Sequence, residues 1–282
     1  MPTATNAKSK PTKVAALQMT SGPDVATNLS AARTLLQQAS GAGARVAVLP
    51  ENFSFMGLKS ADKRSIAEVD GDGPVQHFLA LQARELGLWI IAGTTPLLIE
   101  AGDRVAAACL VYADDGRRVA RYDKIHLFDV DIPGRAESYR ESADIAPAAP
   151  AARPVVVPTP AGLLGLSVCY DMRFPELYRQ LGAAGAQWLT IPSSFTVPTG
   201  RAHWEVLLRA RAIENMSYVV ASAQWGQHAN GRQTYGDSLI VDYWGTVLAR
   251  LADGNGVVVA ELDLAAQAEA RRNFPVLTHR VL

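Results

Sequence analysis

Short apolar runs alternate along this chain with longer stretches whose apolar positions recur every three or four residues. Residues 14–17 (VAAL) form a continuous apolar run of the length expected for a strand buried on both faces. Pro23 and Asp24 then open a helix. Val25, Leu29, Ala32, Leu36 and Ala39 follow at steps of 4, 3, 4 and 3, which places them on one helical face. Gly41-Ala42-Gly43 ends that helix, and residues 45–49, closed by Pro50, predict the next buried strand. The same reading predicts helices over 75–86, 175–184 and 201–216, the second carrying proline in its first turn. Strands are predicted over 88–92, 119–123, 163–168, 188–191 and 218–223. Turn sequences at Asp114-Asp115-Gly116, Thr159-Pro160-Ala161-Gly162 and residues 242–245 predict hairpins. Strands alternating with helices, with hairpins among them, indicate an α/β sandwich with mixed sheets.

No internal repeat or low-complexity boundary divides the chain, so residues 12–282 read as one domain and residues 1–11 as a disordered tail. The first 13 residues lack the apolar segment of a secretory signal and contain no arginine, which argues against a transit peptide. Residues 135–154 form the one long irregular stretch, and the Ala/Pro-rich part from Ala146 to Pro150 reads as a surface loop.

Composition narrows the function by exclusion. The 282 residues include 27 Lys+Arg against 27 Asp+Glu, so no net charge drives binding to nucleic acid or an anionic membrane. No apolar run approaches the ~18–20 residues that span a bilayer. Two cysteines, Cys109 and Cys169, cannot build a disulfide framework, and a reducing cytoplasm is the expected compartment. Gly71-Asp72-Gly73 and Gly254-Asn255-Gly256 lack the context of a dinucleotide fingerprint. The five histidines are scattered and neither cysteine has a C-x-x-C partner, so no metal or cofactor is expected. Gly165-Leu166-Ser167-Val168-Cys169 begins like a nucleophile elbow, with Cys169 where the second glycine would stand and Ser167 as a strand residue.

The chemistry concentrates in three polar residues that follow apolar strands, where open α/β folds place their sites: Glu51, Lys124 and Cys169. Each alone has a structural explanation: a turn cap, a solvated lysine, a small buried hydrophobe. Together they suggest acyl transfer. A thiol with an ordinary pKa near 8.5 is only about 3% thiolate at pH 7, so a neighbouring carboxylate such as Glu51 would serve as general base. An ammonium at Lys124 would stabilise the oxyanion, with the Tyr170 amide as second donor.

Leu49-Pro50-Glu51-Asn52-Phe53, Tyr122-Asp123-Lys124-Ile125-His126-Leu127-Phe128 and the segment from Val168 through Cys169-Tyr170-Asp171 to Leu177 resemble the three signature segments of the nitrilase, or carbon–nitrogen hydrolase, superfamily. The separations match as well: 73 residues from Glu51 to Lys124 and 45 more to Cys169. The similarity continues through Ala202–Glu205, Leu208–Glu214, Tyr235–Ser238, Val241–Val247 and Phe274–Val276, and so covers about residues 12–282. The resemblance implies an α/β fold of four αββα layers with Glu51, Lys124 and Cys169 as catalytic triad and no cofactor. It also implies a homodimer, built partly through helices such as 201–216, acting on a small-molecule amide.

The superfamily's second glutamate corresponds to Glu141, with Glu137 the competing choice, because Pro147 is followed by alanine where a Pro-Gly pair is usual. Arg173, four residues after Cys169, is either a structural ion-pair partner or a clamp for a substrate carboxylate, and Tyr170 joins it as a substrate-binding candidate. At branch level the chain is most similar to deaminated-glutathione amidases, next to ω-amidases of 2-oxo acid monoamides; nitrilases and other aliphatic amidases stand further off. Two other readings remain: a thiol acyltransferase or peptidase with His126 as base, and a non-catalytic scaffold.

Overall fold

Asp24 starts the first helix as its pattern predicts. Its carboxylate accepts a hydrogen bond from the Thr27 amide at 2.8 Å, satisfying one of the first-turn donors of α1, Val25–Gly41. Ala32, Leu36 and Ala39 are fully buried, with Val25 and Leu29 packed partly buried against the same core. The second helix, α2 (Pro74–Leu86), is followed by α3 (Pro175–Ala183), α4 (Val197–Asn215) and α5 (Leu264–Asn273). These elements come from a computed structural model that describes residues 10–100, 102–132, 134, 137–149 and 153–281. The expected tail falls almost wholly on residues 1–9, outside the described residues; the first strand begins at Thr12.

Two mixed sheets lie face to face. The first runs in the order Gly256–Leu262, Thr12–Gln18, Val46–Val48, Trp89–Leu98, Val105–Tyr112, Arg118–Asp123, and Ile145–Ala146 pairs alongside Val105 and Ala106. The second runs Val247–Leu251, Ser238–Val241, Tyr218–Ala221, Trp188–Thr190, Gly162–Leu166, Val156–Thr159. All three predicted hairpins form, joining neighbours in these orders.

The period-two geometry of a strand explains the unbroken apolar runs. Val14, Ala16, Val46 and Val48 point between the sheets and join Leu164, Leu166 and Trp188 in one core. Ala15, Leu17, Ala47 and Leu49 point the other way and pack with Leu36 of α1 and Leu79 of α2. Leu177 and Leu181 of α3 and Trp204 and Leu208 of α4 cover the far face of the second sheet. The result is an αββα sandwich of four layers. Each fully buried leucine contributes roughly 1.5–3 kcal/mol, so stability is spread over both helix–sheet layers and the sheet–sheet layer.

Some segments depart from the sequence reading. The stretch 135–154 is less irregular than expected: Asp129–Asp131 pairs with Ser138–Arg140, a 3-10 turn spans Glu141–Ala143, and Ile145 packs with Val105 and Ala107. Arg135, Ala136 and residues 150–152 lie outside the described residues. Helix α4 begins at Val197, earlier than its apolar pattern shows, because Pro198 fits the first turn. Helix α5 escaped prediction because it is held by polar contacts. Its buried Gln267 donates to the carbonyls of Gln187 and Met216 at 2.6 and 2.9 Å.

One close approach fixes the entry to the site. Gly93 sits at a bulge between Ala92 and Thr95, and a Cβ there would lie 2.1 Å from the Pro50 carbonyl oxygen, immediately before Glu51. Gly93→Ala is therefore expected to lower stability by about 1–3 kcal/mol and to reduce turnover in the fraction that folds. Thermal melts with parallel rate measurements check it; an unchanged melting temperature and rate would contradict the contact.

Candidate active site

Glu51 stands just beyond Val46–Val48, Lys124 directly after Arg118–Asp123, and Cys169 just beyond Gly162–Leu166. Strand ends of both sheets thus converge on one place. The Glu51 backbone is held there by Gln224, whose side-chain amide donates to the Glu51 carbonyl at 3.0 Å, and by Asn52, whose amide donates to Thr94 Oγ1 at 2.9 Å.

Lys124 is only 1% exposed, and its Nζ lies 2.8 Å from Glu51 Oε1 and 2.8 Å from both carboxylate oxygens of Glu141. Glu141 Oε2 also accepts the Phe128 amide at 2.7 Å, which ties the 3-10 turn to the segment following Lys124. Burial opposes charge on Lys124, but the Glu141 and Glu51 carboxylates outweigh it and hold the ammonium well above the ordinary lysine range. Burial likewise raises Glu141, and Lys124 and Lys63 more than offset it, so its carboxyl lies below the usual range.

Cys169 occupies a strained turn. Its φ of +49° is a left-handed conformation that a residue with a Cβ seldom adopts, and its amide donates to the Pro192 carbonyl at 2.9 Å. The chain enters from the strand, turns at Cys169 into a 3-10 segment, Cys169–Arg173, and continues into α3. At the start of such a turn the first amides lack partners within it, which leaves the Tyr170 amide beside the thiol. Burial, and next the Glu51 carboxylate, push the Cys169 thiol well above its ordinary value against the opposing pull of Lys124. These surroundings disfavour a preformed thiolate at Cys169.

Asp171 links these parts. Fully buried, it accepts Tyr122 OH at 2.7 Å and the Val168 amide at 2.8 Å through one oxygen. Through the other it accepts the His126 amide at 3.0 Å and contacts His126 Nδ1 at 2.7 Å. One carboxylate thus connects the residues flanking Lys124 to the residue preceding Cys169.

Glu51, Lys124, Glu141, Cys169 and Tyr170 line a cavity of about 470 Å³. Glu137 lines it too and accepts Tyr139 OH at 3.1 Å, while Glu141 is the glutamate bonded to Lys124. Arg173 is not among the lining residues. Its guanidinium lies over the Tyr170 and Phe195 rings, at 5.7 and 5.5 Å, and contacts His203 Nδ1 at 3.3 Å. His126 is also absent from the lining and stacks on Phe174 with centroids 3.7 Å apart. Ser167 serves the strand, its Oγ bonding Tyr178 OH and the Thr190 carbonyl. Cys109 lies in the core between the sheets. The sequence reading missed Lys63, Ser194 and Arg232 as cavity residues. Lys63 and Arg232 reach inward from polar turns that read as solvated surface. Among the described residues no cluster of His, Cys, Asp and Glu could hold a metal ion.

The pattern of the carbon-nitrogen hydrolase family matches residues 13–272. The chain belongs to the carbon-nitrogen hydrolase family. This carbon-nitrogen hydrolase is 42% identical to the deaminated glutathione amidase of Synechocystis over 274 residues, which cover 96% of this chain and 99% of that protein. It is 44% identical to the human deaminated glutathione amidase over 270 residues, 95% of this chain and 81% of that one. The crystal structure of the Caenorhabditis elegans NitFhit protein superposes with a TM-score of 0.87 at 39% identity, covering 96% of this chain and 65% of that larger chain. The enzyme therefore acts on carbon–nitrogen bonds, with an amidase activity that the family supports.

Because the Cys169 pKa is raised, its thiolate fraction still grows with pH well above neutrality. Alkylation of Cys169 by iodoacetamide, followed by mass spectrometry, is expected to accelerate continuously from about pH 6 to about pH 9. A plateau already reached below about pH 8 would show a preformed thiolate and contradict this environment.

Proposed function

We propose that this enzyme hydrolyses deaminated glutathione to 2-oxoglutarate and cysteinylglycine through a thioester on Cys169. The observation that carries the mechanism is the Lys124 ammonium, 2.8 Å from both Glu51 and Glu141, in the polar cavity that Cys169 also lines. The substrate is supported by the activity named for relatives 42% and 44% identical over nearly the whole chain.

In this mechanism Glu51 accepts the thiol proton as Sγ attacks the amide carbonyl, so charge moves to the carbonyl oxygen without a free thiolate beforehand. The Lys124 charge and the Tyr170 amide stabilise that oxyanion. Collapse of the tetrahedral intermediate breaks the C–N bond, and the proton held by Glu51 passes to the departing amine. Glu51 then takes a proton from water as the water attacks the thioester, and the second collapse releases the carboxylic acid and returns the proton to Cys169. Glu141 keeps Lys124 charged and aimed throughout. His126, bound to Asp171 and stacked on Phe174, is placed for structure, which disfavours a histidine base.

The proposal extends to assembly and compartment. Val206 and Ile213 on α4, Trp244 in the turn after Ser238–Val241, and Phe274 after α5 are exposed, and Trp244 packs edge-on against Phe274. Such a grouping suits a homodimer face. Both cysteines are unpaired thiols, which suits a reducing cytoplasm, and no described helix is long and apolar enough to cross a membrane.

Cys169→Ala is expected to abolish turnover, whereas Cys109→Ala leaves the rate near wild type; substantial activity in the first variant would refute the thioester. In steady-state comparison, deaminated glutathione is expected to give a higher kcat/KM than 2-oxoglutaramate or a simple aliphatic nitrile. A higher value for either of those would overturn the substrate assignment.

A further inference from the structure

The cavity carries more positive charge than the proposed chemistry uses. Its lining includes Lys59, Lys63, Lys124, Arg140 and Arg232 against Glu51, Glu137 and Glu141. Lys124 is held by two of those carboxylates, Arg140 reaches outward to Asp131 at 2.9 Å, and Lys59 is exposed. Lys63 and Arg232 remain. Among the described residues neither has a carboxylate at ion-pair distance.

Arg232 is firmly placed. Its guanidinium donates to the Ser194 carbonyl and lies 5.2 Å from the Tyr139 ring centroid. Its Nε is buried without a hydrogen-bond partner, as is Ser194 Oγ. A buried donor left unsatisfied is destabilising, and a ligand oxygen would supply the missing partner. Ser194 lines the cavity together with Cys169, and its backbone favours the thiolate there, so Arg232 is anchored on a residue beside the nucleophile. Lys63 enters from the 3-10 segment Ser60–Ile66; burial disfavours its charge, the Glu141 and Glu51 carboxylates support it from a distance, and Lys124 and Arg232 oppose it. Two cations that repel each other in a partly dry cavity form a site for an anion.

We infer that Lys63 and Arg232 clamp the acyl-side carboxylate of the substrate, selecting monoamides of short dicarboxylic acids. The acyl side follows from the anchoring of Arg232 beside the nucleophile. A carboxylate a few bonds from the scissile carbonyl reaches it, whereas one at the far end of a dipeptide leaving group lies a further two residues away. The clamp acts in binding, so it governs KM more than kcat. The inference rests on the proposed amidase reading and names the specificity element of that same site.

The test compares wild type with Lys63→Met and Arg232→Gln on deaminated glutathione and on its acyl-side methyl ester. KM for the acid is expected to rise about 10- to 100-fold in each variant with kcat within a few-fold, and the preference for acid over ester to collapse. Arg232→Lys, which restores a cation, is expected to recover part of that preference. A second readout needs no turnover: 2-oxoglutarate is expected to protect Cys169 from iodoacetamide saturably in wild type and much more weakly in both variants. An undiminished acid preference, protection unchanged by the substitutions, or a loss confined to kcat would overturn the clamp. If wild type fails to hydrolyse deaminated glutathione while 2-oxoglutarate protects in a Lys63- and Arg232-dependent way, the substrate assignment falls and the clamp stands.

Discussion

The site depends on keeping one ammonium charged where water hardly reaches. Lys124 is nearly inaccessible, and an isolated ammonium at that depth would give up its proton. Glu51 and Glu141 prevent this, each at 2.8 Å. The pair does more than neutralise it. Burial, with the Glu51 carboxylate next, pushes the Cys169 thiol up against the pull of Lys124, so the same carboxylate acts on both neighbours. Removing either carboxylate would alter the charge state of every other member. The arrangement is thus a single electrostatic unit.

That unit needs its members held to within a fraction of an ångström, yet they come from two sheets and a peripheral turn. Asp171 supplies much of the rigidity. Its two oxygens take donors from Tyr122, His126 and Val168, so the strand end before Lys124, the segment after it and the approach to Cys169 share one anchor. The strained φ at Cys169 is sustained by this frame and by the bond from its amide to Pro192. On the opposite side, the contact of Gly93 with Pro50 sets where Glu51 leaves its strand.

Much of this was legible in the sequence because burial on both faces leaves unbroken apolar runs, which display the central strands and the helices that cover them. Glu51, Lys124 and Cys169 stood out as polar residues ending such runs, and the fold brings them to one cavity. Glu141 was harder to place, since its segment holds its position by pairing Ile145 with the first sheet and not by a periodic pattern. Arg173 read as a pocket residue from its nearness to Cys169, but the 3-10 turn swings it over the Tyr170 and Phe195 rings. Lys63 and Arg232 did not show as cavity residues for the opposite reason. Long side chains from polar turns can reach far inside, and sequence records only where they start.

The segment carrying Glu141 also shapes how the enzyme would fail. It lies outside the paired six-strand orders, joined to them by the short pairing of Ile145 and Ala146 with Val105 and Ala106, by backbone bonds at Asp144 and Ala148, and by the bond of Glu141 to the Phe128 amide. Those few contacts are a small fraction of what holds the two sheets together. Local opening of this segment would separate Glu141 from Lys124 while both sheets stayed intact. The pairing of Lys124 with Glu141 and the packing of the two sheets therefore rest on separate sets of contacts.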